Sequence, residues 1–326
     1  MSILGLDIGG ANIKAADEAG RAVSRAFAIW MHPERLADEL DSIVREFPQT
    51  ERVAVTMTAE LADCFATKSE GVRFILDAVE VSVQRTLLRK DAAPAGPCGA
   101  QMPEPATTAR QEPRPPESLV DVWTTDGRFV SASEACEQPM LVAAANWHAL
   151  ATWVGREFLS STRHSPLVTH PSSLLIDIGT TTTDIIPLVD GRPVARGLTD
   201  VGRLQTGELS YSGVKRTPLC AIAHAVPFQS GYCPLAAELF AATLDVYLLL
   251  GDIASNETDL DTANGKPATV AAAHDRLARM LCCDRDEVSF EEAVQVARFL
   301  ADVQRQRLAG SLERVASPWP GPCQTV

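Results

Sequence analysis

The sequence predicts an α/β protein of two lobes, each opening with a β-meander, on three observations. Ile3 to Ile8 is a short apolar run that ends in Asp7-Ile8-Gly9-Gly10 and leads into strand-like segments at Asn12 to Ala16 and Arg21 to Ile29. The same pattern returns at Leu174-Leu175-Ile176-Asp177-Ile178-Gly179, where Thr180 to Asp184 stands in place of Gly10 to Lys14. At 326 residues, 46% of them hydrophobic, the chain is long enough to bury two cores.

The first copy reads strand, turn at Asp17 to Gly20, strand, and then helix. Pro33 suits a first helical position, and Leu36, Leu40, Ile43, Val44 and Phe47 share one face. Val53 to Thr58 and Val120 to Thr124, the latter ending in the turn Thr125-Asp126-Gly127-Arg128, are strands able to extend the first sheet. The likeness of the copies extends into the hairpin, where Gly20-Arg21-Ala22-Val23 matches Gly191-Arg192-Pro193-Val194. These signals place an N-terminal lobe at residues 1–165 and a C-terminal lobe at 172–326. Residues 92–117 are Pro-rich and poor in aliphatics, which reads as an exposed insertion. Helices are expected over Ala236 to Gly251, over His274 to Cys282 and from Ser289 onward, where Ser289 and Glu292 form a capping-box pattern. The last residues, Pro318 to Val326, read as a loop leading toward a strand that does not arrive.

Composition excludes several functions. A formal net charge of -13 opposes binding to a phosphate backbone, so nucleic acid is not an expected partner. Met1 to Gly10 lacks a basic leader and carries Asp7, and Pro234 to Ile253 contains Glu238 and Asp245 at near-helical spacing. We therefore expect a cytoplasmic chain without membrane insertion. Eight cysteines without regular spacing suit reduced thiols rather than a disulfide framework, and Cys220, His224 and Cys233 lack the paired spacing of a zinc site.

The chemistry concentrates at the two turns. A carboxylate at a strand end followed by glycines can hold a hydrated divalent ion while backbone N–H groups approach phosphate oxygens. Asp7 with Gly9, Gly10 and Asn12 fits that need, and Lys14 adds a compact positive charge on the same strand. Asp177 with Gly179, Thr180, Thr181 and Thr182 offers hydroxyl and backbone donors, with Asp184 at the far end. Thr also packs well on strands, so the threonines alone have a plain structural reading; two such turns facing each other would grip a polyphosphate from both sides. Asn146 lies in an apolar, Ala-rich stretch, Leu141 to Val154, and must find a polar partner, for which substrate and the phosphate turn are candidates. Trp147 is read as core. His148, His170, His224 and His274 show no ligand spacing.

The paired Asp-x-Gly hairpins resemble the phosphate-1 and phosphate-2 elements of the acetate and sugar kinase, heat-shock chaperone and actin superfamily. More narrowly, Val53-Ala54-Val55-Thr56-Met57-Thr58-Ala59-Glu60-Leu61-Ala62-Asp63-Cys64-Phe65, the Asp177 to Asp184 run and Gly213-Val214-Lys215-Arg216-Thr217-Pro218 resemble hydantoinase A/oxoprolinase-like proteins linked to tetrahydromethanopterin-dependent one-carbon metabolism. The fold this implies is two ribonuclease-H-like lobes of the actin-like ATPase superfold with a cleft between them. The activity it implies belongs to methanofuran-type cofactor biosynthesis: the phenol of γ-glutamyltyramine attacks a furan-methyl diphosphate, forming an ether and releasing diphosphate. Mg²⁺ on Asp7 and Asp177, with Lys14 and the threonines, would neutralise the leaving group. The phenol, with an ordinary pKa of about 10, needs a base, for which Glu60, Asp63 and Asp184 are the candidates and Glu60 the preferred one. Arg203 and Arg216 are candidates for a glutamyl carboxylate.

The chain departs from the pattern at Ala59, where the family motif has glycine, and after Gly265, where only Gly310 and Gly321 stand in place of the superfamily's Gly-rich adenosine element. ATP is therefore an open cofactor, and a homo-oligomer is an open assembly. An ATP-dependent small-molecule kinase or hydantoinase/oxoprolinase-like hydrolase is the main alternative, and a nucleotide-regulated interaction protein a second. The expected partner is a phosphorylated small-molecule substrate.

Overall fold

The computed structural model describes residues 2–87, 119–159, 172–318 and 324–325. The Pro-rich stretch 92–117 and His170 lie outside them. The chain divides into two compact units, Met1–Trp153 and Val154–Val326.

In the first unit, β1 (Ile3–Ile8), β2 (Asn12–Asp17) and β3 (Ala22–Ala26) form the expected meander. It is followed by a 3-10 turn at Pro33–Arg35, α1 (Leu36–Arg45), β4 (Arg52–Met57), α2 (Lys68–Thr86), β5 (Val120–Trp123) and β6 (Phe129–Ser131). Three helices close the series: α3 (Ala132–Glu137), α4 (Pro139–Val142) and α5 (Asn146–Val154). Among the described residues the sheet order is β3-β2-β1-β4-β5-β6, with β1, β4 and β5 parallel and the flanking pairs antiparallel. Alternation fixes the faces: Leu4, Leu6 and Ile8 of β1 and Val53, Val55 and Met57 of β4 are buried against α1 and α2. Asp7 falls on the opposite face of β1. The predicted helical stripe is the buried face of α1, with Leu36, Leu40, Ile43, Val44 and Phe47 all in the core.

In the second unit, β7 (Ser172–Ile178) and β8 (Thr183–Val189) repeat the opening hairpin, but the third strand is reduced to β9 (Arg192–Pro193). The Asp190-Gly191 turn places both residues at positive φ, 52° and 71°, as a tight hairpin turn requires. There follow α6 (Asp200–Thr206), β10 (Leu209–Ser210), α7 (Leu219–Ile222), β11 (Ala225–Phe228), β12 (Gly231–Pro234), α8 (Thr243–Leu250), α9 (Val270–Met280) and α10 (Phe290–Ala316). The final element is β13 (Gln324–Thr325), which pairs parallel with β7. The expectation of a terminal strand that does not arrive is thus corrected. The helical core packs α7, α8, α9 and α10 around Leu219, Val246, Leu277, Val296 and Leu300.

Two further expectations change. The helix expected over Ala236 to Gly251 begins only at Thr243, because Asp245 accepts the N–H of Ala242 and fixes the helix start there. The β11–β12 hairpin was not expected; its turn at Gln229, with φ 51°, carries no Asn-Gly or Asp-Gly signal. The capping box at Ser289 and Glu292 forms as read, each side chain taking the other's backbone N–H. Among the described residues no helix is long and apolar enough to cross a membrane.

Candidate functional site

Each unit builds its turn with the same backbone device. In the first, Gly9 N–H donates to the Asn12 carbonyl at 2.9 Å; in the second, Gly179 N–H donates to the Thr182 carbonyl at 2.8 Å. The strand ends are held in the same register, Asp7 opposite Lys14 and Asp177 opposite Asp184. The duplication seen in the sequence is therefore a duplication of geometry down to the cross-strand pair.

In the first turn, Lys14 Nζ lies 3.4 Å from Asp7 Oδ2, and Thr56 Oγ1 on β4 lies 3.3 Å from Asp7 Oδ1. Asn12 is exposed, and Gly9 and Gly10 are half-buried. The Ile8 carbonyl accepts from both Thr58 N–H and Ala59 N–H, so the exit of β4 runs beside the turn. Glu60 follows, 1% exposed, while Asp63 is on the surface. The backbone of Glu60 is held by Gly71 of α2: a Cβ at Gly71 would stand 2.2 Å from the Glu60 carbonyl oxygen. Asn146 is the first residue of α5, and its side-chain oxygen accepts the Trp147 N–H at 2.8 Å. Its partner is thus its own helix start. Trp147 is core, as read.

In the second turn, Asp177 is exposed and Asp184 is largely buried. Arg203 of α6, 2% exposed at its side chain, places Nη2 2.8 Å from Asp184 Oδ1 and donates to the Glu208 carbonyl. Burial raises the Asp184 pKa above the ordinary carboxylate value; Arg203 opposes that shift, and Asp177 and Asp200 reinforce it. Arg203 is delivered by a short helix capped by Thr199 at its start and by Gly207, at φ 84°, at its end. The carboxylate of Glu208 takes the N–H groups of Arg196 and Gly197 and the Thr206 hydroxyl, which fixes the segments flanking that helix.

The threonine turn rests on a loop that the sequence marks only as part of a motif. The Thr180 carbonyl accepts from the N–H groups of Lys215 and Arg216, and the Gly179 carbonyl accepts from Val214 N–H. Gly213 is pressed against the turn so closely that a Cβ would lie 2.5 Å from Thr180 C and Thr181 N. Thr180 and Thr181 leave their hydroxyls 3.5 Å apart on the accessible side. Lys215 Nζ is bracketed by Asp259 and Asp261, at 2.9 and 3.2 Å, and Arg216 reaches Asp261 at 3.1 Å. These bonds hold the Asp259 and Asp261 carboxyls below the ordinary range against the opposing effect of burial. Asp259, Asp261, Glu208 and Gly213 were not singled out from sequence; their partners are set by long-range folding that a single sequence does not display.

The profile of the family described as hydantoinase/oxoprolinase matches residues 51–317. A curated relative from Methanocaldococcus jannaschii, (4-{4-[2-(γ-L-glutamylamino)ethyl]phenoxymethyl}furan-2-yl)methanamine synthase, is 31% identical over 318 residues, covering 96% of this chain and 82% of that one. A relative of the same name from Methanococcus vannielii is 39% identical over 124 residues, covering 38% of this chain and 55% of that one. Among solved structures, a Ppx/GppA family member from Aquifex aeolicus aligns with 97% of this chain and 91% of its own at 10% identity and a TM-score of 0.33.

Proposed function

The chain belongs to the hydantoinase/oxoprolinase family, and from that premise we propose that it is an enzyme of methanofuran-type cofactor biosynthesis that joins γ-glutamyltyramine to a furan-methyl diphosphate. The observation that carries the reading is the relationship to a synthase of that product, sustained over 96% of this chain. In the proposed reaction the phenolic oxygen forms a C–O bond to the furan methylene carbon, the C–O bond to diphosphate breaks, and the phenolic proton passes to a carboxylate. ATP is not consumed.

Residues at the two turns are of the types this chemistry uses. Mg²⁺ commonly keeps several waters and takes one or two carboxylates plus phosphate oxygens. Among the described residues no group of three His, Cys, Asp or Glu side chains is arranged to hold a metal. Asp177 at its strand end, and Asp7 at the equivalent place in the first unit, are each a carboxylate of the kind that takes an ion completed by diphosphate and water. When bound, the ion would offset charge developing on the leaving group. Thr180, Thr181 and Thr182 offer hydroxyl and backbone donors beside Asp177, and in the first unit Gly9, Gly10, Asn12 and Lys14 offer donors of that kind beside Asp7.

Of the three carboxylates considered for the base, we favour Asp184 over Glu60 and Asp63. Burial raises its pKa toward the range in which a carboxylate accepts a proton efficiently, and it stands on the threonine hairpin itself. Arg203 is the group that holds it in place, and Arg216, 40% exposed, is the candidate for the glutamyl carboxylate.

A mass-resolved assay with Mg²⁺, γ-glutamyltyramine and the furan diphosphate tests the reading, with ATP plus a hydantoin or oxoproline in parallel. Ether formation with release of diphosphate, lost in Asp177→Ala and reduced at least 100-fold in Asp184→Asn, is expected. ADP formation without ether would move the chain to the ATP-dependent class.

A further inference from the structure

The loop under the threonine turn is anchored by a side chain far away in sequence. Gln304, on α10 and 3% exposed, donates through Nε2 to Ser212 Oγ at 2.8 Å and to the Gly213 carbonyl at 3.0 Å. Its Oε1 accepts the Tyr247 hydroxyl at 2.7 Å. The Gly213 carbonyl fixes the amide: it only accepts, so Nε2 is the end that faces it and Oε1 the end left to the Tyr247 hydroxyl. The Gly213 carbonyl also takes the Thr243 hydroxyl at 2.9 Å, and the Ser212 carbonyl takes the Thr183 hydroxyl at 2.7 Å. Ser212 and Gly213 are thus gripped from β8, α8 and α10 together. Gly213 then has no freedom: one side of its peptide is pinned by donors, and its Cα lies against the Thr180–Thr181 peptide where no side chain fits.

We propose that Gln304 is a positioning residue for the diphosphate-binding turn: through Ser212 and Gly213 it sets the height and tilt of the Thr180–Thr181 peptide. The proposal rests on the reading of that turn as the diphosphate site. A glutamine is suited to the place because it supplies a donor and an acceptor about 2 Å apart on one rigid plane. Glutamate in its place has no N–H for Gly213 and sets a carboxylate oxygen against its carbonyl. Leucine leaves both the Tyr247 hydroxyl and the Ser212–Gly213 pair without their buried partner, and a buried group left unpaired costs more than the bond contributed.

Two readouts on the full chain test it. The first is amide hydrogen exchange at Val214, Lys215 and Arg216, whose N–H groups bind Gly179 and Thr180. The second is calorimetric titration with inorganic diphosphate and Mg²⁺, with KM values for the two substrates measured alongside. Gln304→Leu and Gln304→Glu are expected to raise exchange at those three amides, weaken diphosphate binding about tenfold, and raise KM for the furan diphosphate while leaving KM for γ-glutamyltyramine within about twofold. Tyr247→Phe, which keeps the amide but takes the donor from its Oε1, is expected to give a smaller shift in the same direction. A role confined to stability would lower the unfolding midpoint and move neither the exchange pattern nor the KM ratio below that midpoint, and that outcome overturns the proposal. If the unaltered chain binds no diphosphate, the reading of the turn fails; the exchange measurement still decides whether Gln304 holds it.

Discussion

The two Asp-Ile-Gly hairpins share a backbone and differ in what that backbone is tied to. In the first, the residue opposite the aspartate is Lys14, a 63% exposed cation whose ammonium lies 3.4 Å from Asp7. In the second, the equivalent position is Asp184, a carboxylate facing another carboxylate and held by an Arg203 that water barely reaches. A Cβ at Gly10 would meet nothing within 4 Å, and the first turn is held through its carbonyls, Gly10 by Ile29 N–H and Ala11 by Phe27 N–H, whereas the second has Gly213 wedged against it. Duplication has preserved the turn while its surroundings have diverged: the first is tied to its own neighbouring strands and carries an exposed counter-charge, the second is tied to a loop from farther along the chain and carries a buried one. A ligand ordered mainly by the second turn meets donors whose positions are already fixed, which lowers the cost of ordering them on binding.

The largest effect expected from this difference is at Arg203. Arg203→Met removes one partner of a buried pair and leaves Asp184 uncompensated, for which ~3 kcal/mol of lost stability is expected in urea unfolding, against less than ~1 kcal/mol for removal of Lys14. Equal losses would dissolve the distinction between the turns. Asp184 also carries a pH signature, read in metal-free buffer. Burial raises its native pKa above the ordinary value of 3.8, so the native state holds this proton more tightly than the unfolded chain. Its contribution is most favourable below pH 3.8 and falls as pH rises through the raised native value. Asp184→Asn removes that fall. The stability of the unaltered chain minus that of the variant should therefore decline with pH across this window and be flat above it; a difference that grows with pH would contradict the buried assignment.

The next effect concerns support. Gly213→Ala, at a residue gripped from three elements, forces a Cβ to within 2.5 Å of the Thr180–Thr181 backbone, and overpacking of that kind costs ~1–3 kcal/mol. Gly10→Ala meets open space and is expected to change stability by less than ~1 kcal/mol. Measured side by side by thermal unfolding, the two substitutions sharpen the contrast. A Gly213→Ala chain as stable as Gly10→Ala would show that this support yields.

Much of this was legible before the structure, for a reason that particular elements make plain. The meander, the α1 stripe and the Ser289–Glu292 box are encoded by periods of two, of 3.6 and of three residues, which a single sequence displays. The Asp-Ile-Gly turns were legible because they occur twice. What sequence does not display is partner choice across distance. Gln304 sits 92 residues from Ser212, and the buried Asp245–Arg276 pair spans 31. Asp245 reads as the polar face of an amphipathic helix, yet it is 1% exposed, caps its own helix and binds an Arg that is itself fully buried. Asn146 shows a local partner of the same kind: its side-chain oxygen accepts the N–H of the next residue. Arg203, considered for substrate, has its guanidinium engaged by Asp184 and the Glu208 carbonyl.

The smallest expected effect is the one that asks what Lys14 is for. An exposed ion pair at 3.4 Å contributes ~0–1 kcal/mol, so Lys14→Met should leave unfolding nearly unchanged. Lys14→Asp goes further and gives the first turn the charge pattern of the second, two carboxylates directly opposite, for which a cost of up to ~1 kcal/mol is expected at low salt. If the first turn contributes to holding a diphosphate, Lys14→Met should raise KM for the furan diphosphate about tenfold with stability intact, and Lys14→Asp should raise it further. If both variants bind as the unaltered chain does, the second turn alone carries the anion, and the first copy has kept the shape of a phosphate turn after losing its use.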